Sequence, residues 1–171
     1  MTILNTERLS LREFESSDAE FVIELLNEDS FLKFIGDKGV RNVEDANRYL
    51  NTGPIATYQQ HGFGLFHVEH SGTGRSIGMC GLLKRDDQEY PDIGYAFLEE
   101  FTANGYAFEA ASAVLDHGHN SLDIETIVAF VDPGNAKSIG LLLKLGMAFV
   151  GTTRVDGIDG EENMYRSDRN Q

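Results

Sequence analysis

The sequence predicts a single α/β (α+β) domain over residues 1–171, built on a mixed central sheet with helices on both faces. Three observations predict it. A length of 171 residues suits one hydrophobic core. Stretches of period-two and period-3.6 hydrophobicity alternate from end to end, as in a domain that lays helices over a sheet. No internal repeat, low-complexity tract or linker interrupts that alternation.

Leu9 and Leu11 alternate with Arg8, Ser10 and Arg12, the pattern of a first strand. Ser17-Asp18-Ala19-Glu20 has the layout of a capping box, and Phe21, Leu25 and Leu26 behind it share one face of a first helix. Asn42 is placed to cap a second helix carrying Val43, Ala46, Tyr49 and Leu50. Residues 63–69 and 76–83 read as strands joined at Ser71-Gly72-Thr73-Gly74, a hairpin. Residues 93–98 read as a further strand, and the Ala-rich residues 105–117 as a helix. Residues 126–131 are β-branched and aromatic, hence a strand. Residues 135–145 form a short helix stopped by Gly146, and residues 149–153 and 162–166 supply a closing pair of strands.

Composition narrows the function. Apolar runs are too short for a membrane span, and the opening MTILNTERLS lacks a signal-peptide layout. The single cysteine, Cys80, has no internal partner, which fits a reducing, cytoplasmic setting. The histidines are scattered and show no metal-ligand spacing, so no metal is expected. A net charge of −14 with no basic cluster argues against nucleic acid and favours a cationic substrate. An anionic cofactor would have to be held by local backbone N–H groups.

Two stretches carry chemistry. In the first, the strand Asp92-Ile93-Gly94-Tyr95-Ala96-Phe97-Leu98 runs through Thr102, Ala103 and Asn104 into Gly105-Tyr106-Ala107, where a helix opens. Such a junction points unpaired N–H groups from Ala103 to Ala107 outward at the positive end of a helix dipole, where a pyrophosphate fits. Gly105 allows close approach because it has no Cβ. An ordinary packed strand-loop-helix has the same outline. In the second stretch, Asn135 and Ser138 are three positions apart at a helix start and share a face. Asn135 also suits a plain N-cap role.

Together these pieces resemble the GNAT superfamily of N-acetyltransferases, and within it the branch of ribosomal-protein alanine acetyltransferase-like enzymes. The resemblance runs over nearly the whole chain: Thr6-Glu7-Arg8-Leu9 with Leu11-Arg12, Gly78 with Gly81-Leu82 and Arg85-Asp86, Ile93-Gly94-Tyr95, Gly105-Tyr106-Ala107 with Glu109-Ala110, and Asn135 with Ser138 before Leu143-Lys144-Leu145-Gly146. It implies an acetyl-coenzyme A co-substrate, and a sheet splayed between the strand ending at Leu98 and the strand starting near Thr126. It further implies a pantetheine arm paired with backbone at Phe97 and Leu98, a pyrophosphate on residues 102–107, and contacts to the arm from Asn135 and Ser138. There are departures. Thr102 and Ala103 replace residues common in the family's loop, Met147 replaces the usual Phe, and Leu142 stands where many members carry a tyrosine acting on the leaving thiol.

The implied acceptor is a primary amine on a small molecule or a protein N-terminus, and a homodimer is compatible with the sequence. Asp92 matches the position of a general-base glutamate in a related branch and is the first candidate base. Asp156 is the second, and Asp86, Asp87 and Glu89 are placed to attract the amine or to form a solvated loop. Ser138 is the expected donor to the departing thiolate, and an N–H near Leu98 the expected donor to the acetyl carbonyl. Cys80 is expected to be an inert core thiol. Two other readings share the fold: a non-catalytic acetyl-coenzyme A sensor, and an interaction module that binds no cofactor.

Overall fold

The computed structural model describes residues 2–170. Its eight strands are β1 (Thr2–Asn5), β2 (Leu9–Arg12), β3 (Leu65–His70), β4 (Arg75–Leu83), β5 (Asp92–Phe97), β6 (Thr126–Val131), β7 (Ala148–Thr153) and β8 (Glu162–Asp168). They form one sheet in the order β1-β2-β3-β4-β5-β6-β8-β7. Every neighbouring pair is antiparallel except β5 with β6, which is parallel. Four helices precede β3: α1 (Ala19–Leu26), α2 (Asp29–Phe34), α3 (Val43–Thr52) and α4 (Pro54–His61). Helix α5 (Tyr106–Asp116) is the crossover from β5 to β6, and α6 (Ala136–Lys144) links β6 to β7.

Alternation along β3 and β4 feeds two cores, one on each face. Phe66, Val68, Cys80 and Leu82 pack towards α5, where Ala110, Ala111 and Val114 are small enough to let the helix lie close. Leu65 and Met79 face the other way, into a layer with Val22, Leu25, Phe31, Ala46 and Leu50 from α1, α2 and α3. A bulge opposite Val68 and Glu69 admits Ile77 to the α5 side. Gly81 lies where β4 meets the backbone before β3, and a Cβ there would sit 2.0 Å from the Gly64 carbonyl oxygen.

The pair β5–β6 positions the site. It is joined in register only at Asp92 and Val128, where the Val128 N–H donates to the Pro91 carbonyl at 3.0 Å. Beyond that point the strands part and leave a gap in the middle of the sheet.

Three elements lie outside the expected pattern. Strand β1 is four residues with no alternation, and α2 is six residues, too short to show a helical period. Helix α4 begins on Pro54, which suits a first helical position but reads in sequence as a break. The start of α1 also differs. Asp18, not Ser17, organises it: its carboxylate accepts the Glu15 N–H at 2.9 Å and holds both terminal nitrogens of Arg12 at 2.7 and 2.8 Å. Asn42 caps α3 as expected, accepting the Asp45 N–H at 2.9 Å.

Behind the Arg12–Asp18 pair lies His67 on β3, fully buried between the edges of Phe14 and Phe21. Its Nε2 bonds the Ser76 hydroxyl at 2.8 Å, and its Nδ1 has no partner. Burial, with the Arg12 charge acting in the same direction, lowers its pKa to about 4. The unfolded chain takes up a proton at this residue below about pH 6.5, whereas the folded chain resists until about pH 4. Stability is therefore lost as pH falls through that window, by about 3 kcal/mol at most. Melting curves of the wild type and His67→Gln should diverge in slope between those two pH values; parallel curves would contradict the assignment.

Candidate active site

The loop between β5 and α5 is shaped as a donor cradle. After the tight turn at Glu99–Phe101, Ala103 takes φ +64° and Gly105 takes φ +81°, both left-handed. Left-handed backbone is free for glycine and costs about 1 kcal/mol for alanine. The first helical bond of α5 runs from the Glu109 N–H to the Gly105 carbonyl. The N–H groups of residues 103–108 thus have no backbone acceptor and lie at the positive end of the helix. Thr102 is a correction. Its N–H and its hydroxyl both donate to the Glu99 carbonyl, at 3.1 and 2.8 Å, so the free run begins at Ala103.

A brace from the start of the chain holds this loop. The Arg8 guanidinium bonds Glu109 Oε2 at 2.7 Å and the Asn104 carbonyl at 3.0 Å, and lies 4.5 Å over the Tyr106 ring. The second Glu109 oxygen accepts the Arg8 N–H at 2.8 Å and the Thr6 hydroxyl at 2.6 Å. Sequence reading placed Arg8 and Glu109 in separate motifs and did not pair them.

Register decides which backbone groups of β5 face the gap. The Leu98 N–H donates to the Ile77 carbonyl at 2.9 Å and its carbonyl accepts the Phe101 N–H at 2.9 Å. Leu98 is therefore committed to β4 and to the turn, which overturns its expected pairing with a pantetheine arm and its N–H as a donor to the acetyl carbonyl. The groups of Phe97 and Tyr95 point to the opposite edge, as does the Pro91 carbonyl bonded to Val128. No strand pairs with them there, so they are open to an extended ligand.

Across the gap, Asn135 caps α6 by accepting the Ser138 N–H at 3.2 Å, which leaves its side-chain amide free to donate. The Ser138 hydroxyl bonds the Tyr95 hydroxyl at 2.6 Å, joining α6 to β5 across the gap. Burial pushes the Tyr95 pKa up to about 12, so its proton stays on the phenol. Tyr95, Asn135 and Ser138 all line a cleft of 320 Å³ that runs from the gap towards α2 and α3. Tyr95 was visible in sequence only as a strand residue.

The acidic residues divide sharply. Asp86, Asp87 and Glu89 are exposed and away from the cleft. Asp156 is exposed too, with its N–H bound to Asp87 Oδ2 at 2.9 Å in a contact that ties two loops together. Asp92 does line the cleft and is 2% exposed, but Arg85 holds its two oxygens at 3.0 and 3.4 Å. Burial raises its pKa and the Arg85 charge opposes that rise. Glu162, at the start of β8, also lines the cleft, is 4% exposed and forms no ion pair among the described residues. Burial and then the Asp132 charge raise its pKa. Nothing in the sequence separates Glu162 from its neighbour Glu161, which is exposed. Cys80 is fully buried on the α5 side, off the cleft, with its thiol pKa raised by burial.

Comparison with known proteins agrees with this architecture. The acetyltransferase (GNAT) domain family matches residues 8–148. The N-acetyltransferase YoaA of Bacillus subtilis, itself uncharacterised, is 31% identical over 168 residues, covering 95% of this chain and 94% of that protein. A crystal structure of a GNAT-family acetyltransferase from Bacillus anthracis superposes with a TM-score of 0.81 at 26% identity, covering 100% of both chains. The ribosomal-protein-S5-alanine acetyltransferase of Vibrio fischeri shares the fold at 17% identity, with a TM-score of 0.73 over 98% of this chain and 96% of that one. With a parted β5–β6 pair, an amide-lined loop at α5 and a family match over most of its length, the chain belongs to the GNAT acetyltransferases, enzymes that transfer an acetyl group from acetyl-coenzyme A.

Proposed function

We propose that this chain acetylates a primary amine by direct attack within a ternary complex, with Glu162 as the base and Ser138 as the donor to sulfur. The observation that carries this reading is the cleft itself. It is lined by Glu162 on β8, a buried carboxylate that forms no salt bridge among the described residues, and by the Ser138 hydroxyl on α6, which is bonded to Tyr95 on β5.

When bound, acetyl-coenzyme A supplies the activated thioester. The chain's own residues do the rest. The N–H groups of residues 103–108 fit a diphosphate, with Arg8 adding positive charge beside them. The open backbone edge at Phe97 and Tyr95 fits the amide groups of a pantetheine arm, and the Asn135 amide faces the same gap. An aliphatic amine is neutral in only about one part in a thousand at pH 7, so a base must take its proton. Glu162 is suited to this because burial and the Asp132 charge raise its pKa against a smaller opposing pull from Arg85, and a raised pKa increases its basicity. As the N–C bond forms and the C–S bond breaks, the amine proton passes to Glu162. Ser138 donates its hydrogen to the departing sulfur while accepting one from Tyr95. Asp92 then keeps Arg85 in place, and the general-base role expected for it passes to Glu162.

Three outcomes are expected. Glu162→Gln should lower kcat by roughly 10²- to 10⁴-fold with little change in acetyl-coenzyme A affinity. The wild-type rate should rise with pH through an acid limb lying above the ordinary carboxylate range, because Glu162 acts only when ionised, and Glu162→Gln should lack that limb. A near-normal rate in that variant would remove Glu162 from the mechanism. Gly105→Val forces a branched side chain into left-handed backbone and brings a Cβ to 3.3 Å from Arg8 Nη2. Calorimetry should show weakened acetyl-coenzyme A binding in the folded variant, and unchanged affinity would take the loop out of the site. Cys80→Ala should keep its turnover, whereas an acetylated Cys80 detected by mass spectrometry during turnover would replace direct transfer with a covalent relay.

A further inference from the structure

The acceptor end of the cleft carries a charge pattern that the transfer step does not use. Two cations line it, Lys38 and Arg85, together with three carboxylates, Asp92, Asp132 and Glu162. Asp92 engages Arg85 through Nε and Nη2 and leaves Nη1 uncommitted. Lys38 has no ion-pair partner among the described residues. Lys38 is solvent-exposed at the mouth of the cleft, and desolvation at its ammonium and then the nearby Arg85 charge pull its pKa down. Glu162 forms no salt bridge among the described residues but feels the Arg85 charge, and the Oδ1 of Asp132 accepts the Gly134 N–H at 2.7 Å. The remaining wall is apolar and largely aromatic: Phe31, Phe34, Ile35 and Tyr49.

We propose that the acceptor is a free α-amino acid with an apolar or aromatic side chain, its ammonium beside Glu162, its carboxylate beside Arg85 and Lys38, and its side chain against the wall from α2 and α3. This rests on the amine-acetylation reading above and names the substrate class for the same cleft. Each end of such a molecule meets a charged group that otherwise lacks a full complement. A simple arylalkylamine leaves the cationic wall unanswered, and a peptide N-terminus has an uncharged amide where the carboxylate would be. Size agrees, because the whole cleft encloses 320 Å³, near the lower limit for pockets that hold a compact ligand.

The test uses the intact protein with acetyl-coenzyme A and follows free-thiol release with L-phenylalanine, L-phenylalaninamide, phenethylamine, L-leucine, L-leucinamide and a short peptide beginning with Phe. The free amino acids should give kcat/KM at least roughly tenfold above their amides and amines, the scale of one charge-assisted contact. Mass spectrometry should identify the products as the N-acetyl amino acids. Lys38→Gln should shrink that ratio, acting mainly through KM of the amino acids. Equal or better turnover of the amides, the amine or the peptide overturns the carboxylate claim and leaves amine acetylation standing. An unchanged ratio in Lys38→Gln also overturns it. Release with none of the six acceptors, while calorimetry still shows acetyl-coenzyme A binding, overturns this proposal and the acetylation reading together.

Discussion

One incomplete strand pairing governs this molecule. Strands β5 and β6 meet in register only at Asp92 and Val128 and then separate. A parallel pair that zipped fully would satisfy the backbone groups of Tyr95 and Phe97 and close the sheet. Because it stops, a row of polar backbone groups is left facing a gap inside a folded core, a state that proteins rarely tolerate unless something else completes the bonds. A ligand with amide groups in an extended arm is the natural completion. Both walls of the gap are fixed from behind: β5 by its full antiparallel ladder with β4, and β6 by its ladder with β8. The opening is therefore a rigid feature of the sheet.

The same division places the chemistry. Residues on β5 and α6 meet through Tyr95 and Ser138, and β8 brings Glu162 in from the far side. Asp92 lies at the apex where the strands still touch, pinned by Arg85. A carboxylate at the apex is well placed to be structural. One farther along the opening is well placed to meet an acceptor. This geometric difference, more than the chemistry of two similar side chains, separates the roles of Asp92 and Glu162.

Much of this was legible in the sequence, and the exceptions have physical causes. Strand β6 and the caps at Asn42 and Asn135 could be read because a local pattern sets each one. Gly105 could be read as a point of close backbone approach because it has no Cβ, whereas its left-handed φ is known only from the structure. Helix α2 and strand β1 were too short for periodicity to register. The choice between Phe97 and Leu98 depended on strand register, which alternation alone does not fix because both residues are apolar. Glu162 opens β8 and is buried whereas Glu161, just before the strand, is exposed, and two adjacent glutamates carry no local mark of which one turns inward. The Arg8–Glu109 brace joins residues a hundred positions apart, and no local rule reaches that far.

That brace has a consequence for synthesis of the chain. The loop that opens α5 is braced by Arg8 and Thr6 from the first hairpin and Glu109 from α5, and the cleft gains its Glu162 wall only when β8 is added. A ribosome-bound chain that lacks its final strand has no ladder behind β6 and no Glu162 in the cleft. Contacts of such sequence separation form late, after local helices and hairpins are in place. The cleft is therefore a late product of folding: a nascent or truncated chain can hold most of its helices and much of its sheet and still lack the wall that Glu162 supplies.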